Sequence, residues 1–84
     1  MAQSTIKTNV SRYSITVSTN SEGTIFVAAL DNKIVFSAEC NNYLVVHMMT
    51  YLENGTRRHF FKVLDFVTLQ PITWTSVELR IYYI

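Results

Sequence analysis

The chain has 84 residues, of which 49% are hydrophobic and only 15% are charged, with a net charge of +1. A single domain this short buries a marginal core, and a single cysteine excludes an intrachain disulfide. The charge balance argues against a nucleic-acid or anionic-membrane partner, and no apolar run reaches the ~18 residues of a membrane span. Since ordinary domains are about 25% charged, this composition predicts association with a permanent partner surface.

Residues 1–10 are predicted to be a flexible N-terminal segment or the remnant of a preceding shaft, and residues 11–84 a single domain. Alternation of apolar and polar residues predicts a first strand over residues 12–18. A second strand, residues 24–28, follows a polar turn that contains Gly23, and a third alternates over residues 34–40.

Residues 43–52 are predicted to form a strand that is apolar on both faces, with one face made of Tyr43, Val45, His47, Met49 and Tyr51. A strand that is apolar on both faces is covered on both, which predicts a contact between subunits. Asn54-Gly55 fits a type I′ turn into a fifth strand over residues 57–66. Centring the hairpin there places position 47 opposite about position 62, and position 51 opposite position 58. The two histidines, His47 and His59, then need not touch.

Pro71 argues against a central strand within residues 67–75. The closing strand, residues 75–84, alternates cleanly, with its apolar side made of Val77, Leu79, Ile81 and Tyr83. About six strands with turns every eight to twelve residues predict an all-β fold, a small antiparallel β-sandwich of jelly-roll-like form.

The sequence predicts no enzyme, no cofactor and no metal. Cys40 has no activating base beside it and is expected to be a small buried core residue. The acidic residues are dispersed, and two histidines without a third ligand favour a structural role over metal binding. A histidine directed along a threefold axis, with three chains contributing to one ion, stays open as an alternative.

Binding is the better-supported class of function, because aromatic rings for stacking and loop amides for hydroxyl groups are what a sugar site uses. The predicted ligand-binding residues are Trp74, Asn41, Asn42, Asn54 and Arg57. The predicted oligomer interface contains Tyr43, Val45, Met49, Tyr82 and Ile84.

Three segments carry a resemblance to a family: Tyr13-Ser14-Ile15-Thr16-Val17-Ser18-Thr19-Asn20, Ala38-Glu39-Cys40-Asn41-Asn42-Tyr43, and the closing stretch from Thr73-Trp74-Thr75 to Tyr82-Tyr83-Ile84. This pattern resembles the C-terminal tip domains of bacteriophage tail fibres and phage minor structural proteins. The resemblance implies a homotrimeric β-sandwich that contacts host cell-surface glycan or teichoic acid. It also implies a place in the virion, at the tail or fibre tip, after synthesis in the bacterial host cytoplasm.

Two other functions are retained as alternatives. One is a purely structural virion assembly or trimerisation module with no ligand of its own. The other is a small hydrolase or lectin-like monomer.

Overall fold

The computed structural model describes residues 11–30 and 32–84, and the predicted N-terminal segment lies outside the described residues. Within them the chain forms six β-strands and no helix. The strands are β1 (Ser11–Ser18), β2 (Thr24–Val27), β3 (Val35–Glu39), β4 (Tyr43–Glu53), β5 (Thr56–Asp65) and β6 (Ser76–Tyr83). The all-β class and the six strands predicted from the alternation are confirmed.

The strands form two antiparallel sheets of three strands each. The first sheet has the order β1-β6-β3 and the second has the order β2-β5-β4. β6 and β5 are therefore the central strands, and both have alternate side chains fully buried. The long strand β4 lies at an edge of the second sheet.

One hydrophobic core receives side chains from both sheets. Its buried residues are Ile25, Val27, Cys40, Phe61, Val63, Val77, Leu79, Ile81 and Tyr83. Because side chains alternate between the faces of a strand, the even spacing in β5 and β6 places every second residue in this core. The predicted buried side of the closing strand and the predicted burial of Cys40 are both confirmed.

Two asparagine-containing turns connect the strands around β4. Asn54 and Gly55 have φ angles of 53° and 76°, as a type I′ turn requires, and Glu53 pairs with Thr56 across them. At the other end of β4, Tyr43 bridges to Cys40 across Asn41-Asn42. Because β3 and β4 belong to different sheets, this second turn joins the edges of the two sheets.

A β-bulge in β4 changes the predicted pairing of the hairpin. Tyr51 lies opposite Arg58 as predicted, but the register shifts between His47 and Met49, so that His47 lies opposite Phe61 rather than position 62. A bulge adds one residue to one strand, and the residues beyond it therefore exchange faces.

The prediction that one face of β4 carries five residues in strict alternation is accordingly wrong. His47 shares the core-facing side with Tyr43 and Val45, whereas Met49 and Tyr51 lie on the opposite side.

Candidate functional site

The face of the second sheet that points away from the core is rich in exposed apolar side chains. We call this surface the outer face and define it by Phe26, Leu44, Val46, Met48, Met49 and Phe60. Five of these six residues are among the exposed large hydrophobics, with exposed fractions between 37% and 57%. Soluble monomers rarely expose a large apolar patch, and where they do, the patch usually marks an interaction site.

Aromatic contacts and a shallow groove give the outer face a defined shape. The rings of Phe26 and Phe60, which are cross-strand partners, have centroids 4.9 Å apart, and the ring of Tyr51 lies 6.0 Å from that of Phe60. Beside them a groove of about 300 Å³ is lined by Met48, Met49, Phe60, Thr24, Glu22 and Lys62. Charged groups thus border an apolar centre, which is how a protein interface is usually arranged.

The loop over residues 66–75, which we call the Trp74 loop, holds the most exposed aromatic ring of the described residues. The Trp74 side chain is 77% exposed, and its φ of 46° lies in the left-handed region that non-glycine residues seldom adopt. The neighbouring Thr75 fixes the loop end, because Thr19 N donates to Thr75 O at 3.0 Å and Thr75 N donates to Thr19 Oγ1 at 3.4 Å. An exposed ring on a strained but anchored backbone points to a functional constraint at Trp74.

Asp65 anchors the start of the same loop. Its Oδ1 accepts hydrogen bonds from Val67 N at 2.8 Å and Thr68 N at 2.9 Å. These backbone donors stabilise the carboxylate and hold the pKa of Asp65 below its usual value. Asp65 N also donates to Gln70 O at 2.8 Å, so the loop is bonded to the end of β5 rather than loose.

The predicted ligand-binding residues do not form one site. Asn41 and Asn42 precede β4 whereas Asn54 and Arg57 follow it, so the 11 residues of an extended strand separate the two groups. Asn41 lines a cavity of about 250 Å³ with residues from the start of β6, just after the Trp74 loop. Arg57 belongs to the opposite end, where its backbone N donates to Asn32 Oδ1 at 2.7 Å.

The predicted interface residues also lie on different surfaces. Tyr43 and Val45 are half-buried against the core of their own chain, and Met49 is exposed on the outer face. Tyr82 lies on the far side of the first sheet, where its hydroxyl donates to Glu39 Oε1 at 2.8 Å and its pKa is raised by that bond. Ile84, after β6, is 65% exposed.

The bulge brings the two histidines together with Thr50, a cluster that the predicted register did not contain. His47 Nε2 lies 3.3 Å from His59 Nδ1, and Thr50 Oγ1 lies 2.9 Å from the first atom and 3.1 Å from the second. Phe61 supports the cluster, with its ring stacked 4.9 Å from that of His47. The cluster depends on the extra residue at the bulge. No residue of β4 predicts a bulge, and the sequence therefore did not predict the cluster.

The His59 side chain is only 2% exposed, and its Nε2 has no hydrogen-bond partner. Burial lowers the pKa of His59, with further lowering from His47 and Arg57, while the Lys33 backbone carbonyl acts in the opposite direction. Burial therefore favours the neutral form of the imidazole, whose Nδ1 is directed at His47 and Thr50.

Cys40 lacks the environment of a nucleophile. Its burial raises the pKa of the thiol to about 11, so the thiol stays protonated at neutral pH. Across residues 11–30 and 32–84, no three side chains of the His, Cys, Asp and Glu types are grouped to hold a metal ion. The same residues contain no helix that is long and apolar enough to cross a membrane.

No protein family model matches the chain, and comparisons with curated proteins and with solved structures give no match.

Proposed function

We propose that this chain is a non-enzymatic β-sandwich of jelly-roll-like form that trimerises and contacts host cell-surface glycan at the tip of a phage fibre. The observation that carries the self-association is the outer face, an apolar surface that the described part of the chain leaves uncovered. Burial of apolar area contributes roughly 25 cal/mol per Å², and a chain with a small core gains most from such burial between subunits.

The border of the outer face supports a specific contact rather than general adhesion. Arg58 lies 5.3 Å from the ring centroid of Phe26 and pairs with Glu53 at 3.3 Å. Glu22 and Lys62 line the groove beside Met49. Opposite charges around an apolar centre fix the orientation of a partner and disfavour wrong registers. A second copy of the chain supplies the same apolar and charged groups.

Glycan contact is assigned to the Trp74 loop. An exposed indole offers a flat apolar face for stacking against a sugar ring, and its N–H can donate to a hydroxyl group. A single shallow site of this kind binds weakly, and three linked copies gain avidity without any new contact. The phage setting is supported only by the resemblance of the alternating strands and of the closing Tyr82-Tyr83-Ile84.

A second candidate function is a structural assembly or trimerisation module without a ligand. It is favoured by the dispersal of the predicted binding residues, since Asn54 and Arg57 lie at the far end of β4 from Asn41. Both proposals use the outer face for self-association. They differ only in whether the Trp74 loop binds a glycan.

Light scattering behind a sizing column, with serial dilution, tests the self-association. We expect the 9.7 kDa chain to behave as a stable trimer. Met49→Lys should dissociate it, because a charge would be buried at the centre of the outer face. Val67→Lys is the matched control, because Val67 is 86% exposed in a loop and should tolerate the same change. A folded wild-type monomer, or a trimer unaffected by Met49→Lys, would overturn the use of the outer face.

A further inference from the structure

Outside the outer face and the Trp74 loop, three polar side-chain atoms lie within hydrogen-bond distance of one another. His47 Nε2, His59 Nδ1 and Thr50 Oγ1 form a triangle with sides of 3.3, 2.9 and 3.1 Å. A tetrahedral zinc ion, with ligand bonds of about 2.05 Å, holds neighbouring ligand atoms about 3.3 Å apart. The triangle thus has nearly the size of one face of a metal coordination shell.

We propose that His47 and His59, with the Thr50 hydroxyl beside them, form a binding site for a divalent transition-metal ion such as Cu²⁺, Ni²⁺ or Zn²⁺. Imidazole nitrogens are ligands that suit all three of these ions. The two imidazoles bind the ion directly, the hydroxyl lies within reach as a weak third ligand, and water completes the coordination.

The architecture holds the two imidazoles in place before any ion arrives. The bulge turns His47 to the core-facing side of β4, and the Phe61 ring stacks on it at 4.9 Å. His59 is fixed by its burial in the central strand β5. Bulges commonly redirect a side chain in this way next to functional sites.

The orientation of the buried imidazole is also suitable for binding, because its Nδ1 is directed at His47 and Thr50. His59 Nε2 is buried, and when Nδ1 binds an ion the ring proton resides on Nε2.

An ion can reach the site from one side of the molecule. His47 is exposed and lines a cavity of about 180 Å³ that also includes Phe61 and residues of β3. Arg57 is the neighbouring group that opposes a cation, because its positive charge acts on His59. Its partial exposure weakens that repulsion through solvent screening.

Calorimetric titration of the untagged chain with each metal salt alone tests the site. We expect one ion per chain, with Cu²⁺ bound more tightly than Ni²⁺ or Zn²⁺. His47→Phe keeps a ring over Phe61 and should abolish the binding, whereas Thr50→Val should weaken it less. Arg57→Gln should strengthen it by removing a repulsive charge. Cys40→Ala, the control for a competing thiol, should bind as the wild type does.

Electron paramagnetic resonance of the Cu²⁺-loaded chain identifies the ligands without relying on any variant that fails to fold. Two coupled imidazoles in the wild type and in Thr50→Val are the expected result. Absence of binding at millimolar metal, equal binding by wild type and His47→Phe, or a spectrum without two imidazoles would each overturn the proposal.

Discussion

Gly23 and Val63 approach each other so closely that only a glycine fits. Val63 N donates to Gly23 O at 2.8 Å, and a Cβ built on Gly23 would lie 2.5 Å from the Val63 carbonyl oxygen. Gly23 also has a φ of 70°, which disfavours any L side chain. The contact attaches the turn before β2 to the central strand of the second sheet.

Gly23→Ala is expected to destabilise the fold strongly. The added methyl group must displace a backbone oxygen and hold a positive φ, which together cost more than the ~1–3 kcal/mol of backbone strain alone. The matched control is Gly55→Ala, because Gly55 has a φ of 76° but open space around its Cβ position. Urea unfolding of the two variants measures the difference. Equal losses of unfolding free energy would contradict the steric account at Gly23.

Trp74→Ala and Trp74→Gly are both expected to abolish glycan binding without unfolding the chain. Removal of the ring removes the stacking surface, and its 77% exposure means that little core packing is lost. The glycine variant should be the more stable of the two by about 1 kcal/mol, because glycine adopts a positive φ without strain. Glycan arrays and thermal unfolding provide the two measurements.

Phe66→Ala is the control for this loop, since Phe66 is another exposed ring, 68% accessible, and should bind as the wild type does. Unchanged binding by both Trp74 variants would place the glycan site elsewhere. If the wild type binds no glycan while still forming trimers, the structural module becomes the better proposal.

Cys40 is expected to react slowly with thiol reagents. It should also make the free energy of unfolding depend on pH in the alkaline range. The thiol titrates near pH 9 in the unfolded chain and at about 11 when folded, so the folded state binds the proton more tightly. The resulting stabilisation is complete below pH 9 and is lost as the pH rises through about 11. Cys40→Ala should lack this component of the pH dependence. Denaturant unfolding across the window measures it, and identical pH slopes for both chains would contradict it.

Asp65→Ala is expected to loosen the first turn of the Trp74 loop, because the hydrogen bonds from Val67 N and Thr68 N disappear. Hydrogen exchange of these two amides should become faster, while the amides of β6 are unaffected. The pKa of Asp65 is lowered in the fold, so its stabilising effect is present above the unfolded pKa. That effect is lost as the pH falls through the folded pKa.

Asp65→Asn is the control that separates charge from hydrogen bonding. Its amide oxygen can still accept the two bonds, so the loop should remain protected, but the acid-dependent part of the stability should vanish. Equal exchange in the alanine variant and the wild type would show that the backbone bonds hold the loop by themselves, namely Leu69 N to Asp65 O at 2.9 Å and Asp65 N to Gln70 O at 2.8 Å.

By itself, the sequence determined the strands and the buried side of the closing strand β6. Val77, Leu79, Ile81 and Tyr83 alternate with polar residues. This local pattern predicts a half-buried strand wherever the strand lies in the fold. The Asn54-Gly55 turn was also readable, because few residues tolerate two consecutive positive φ angles. Apolar residues on both faces of β4 also predicted a contact between subunits, and this stays a prediction.

Only the tertiary structure decided how β4 lies against β5 and which residues meet. A bulge depends on how the whole strand packs, so the pattern from Tyr43 to Tyr51 could not show that His47 faces the core and Met49 faces outward. The same limit applies to Asn41 and Asn54. Both are loop asparagines, but the fold places them at opposite ends of β4. Contacts between distant residues arise from the packing of the sheets, and local composition does not encode their geometry.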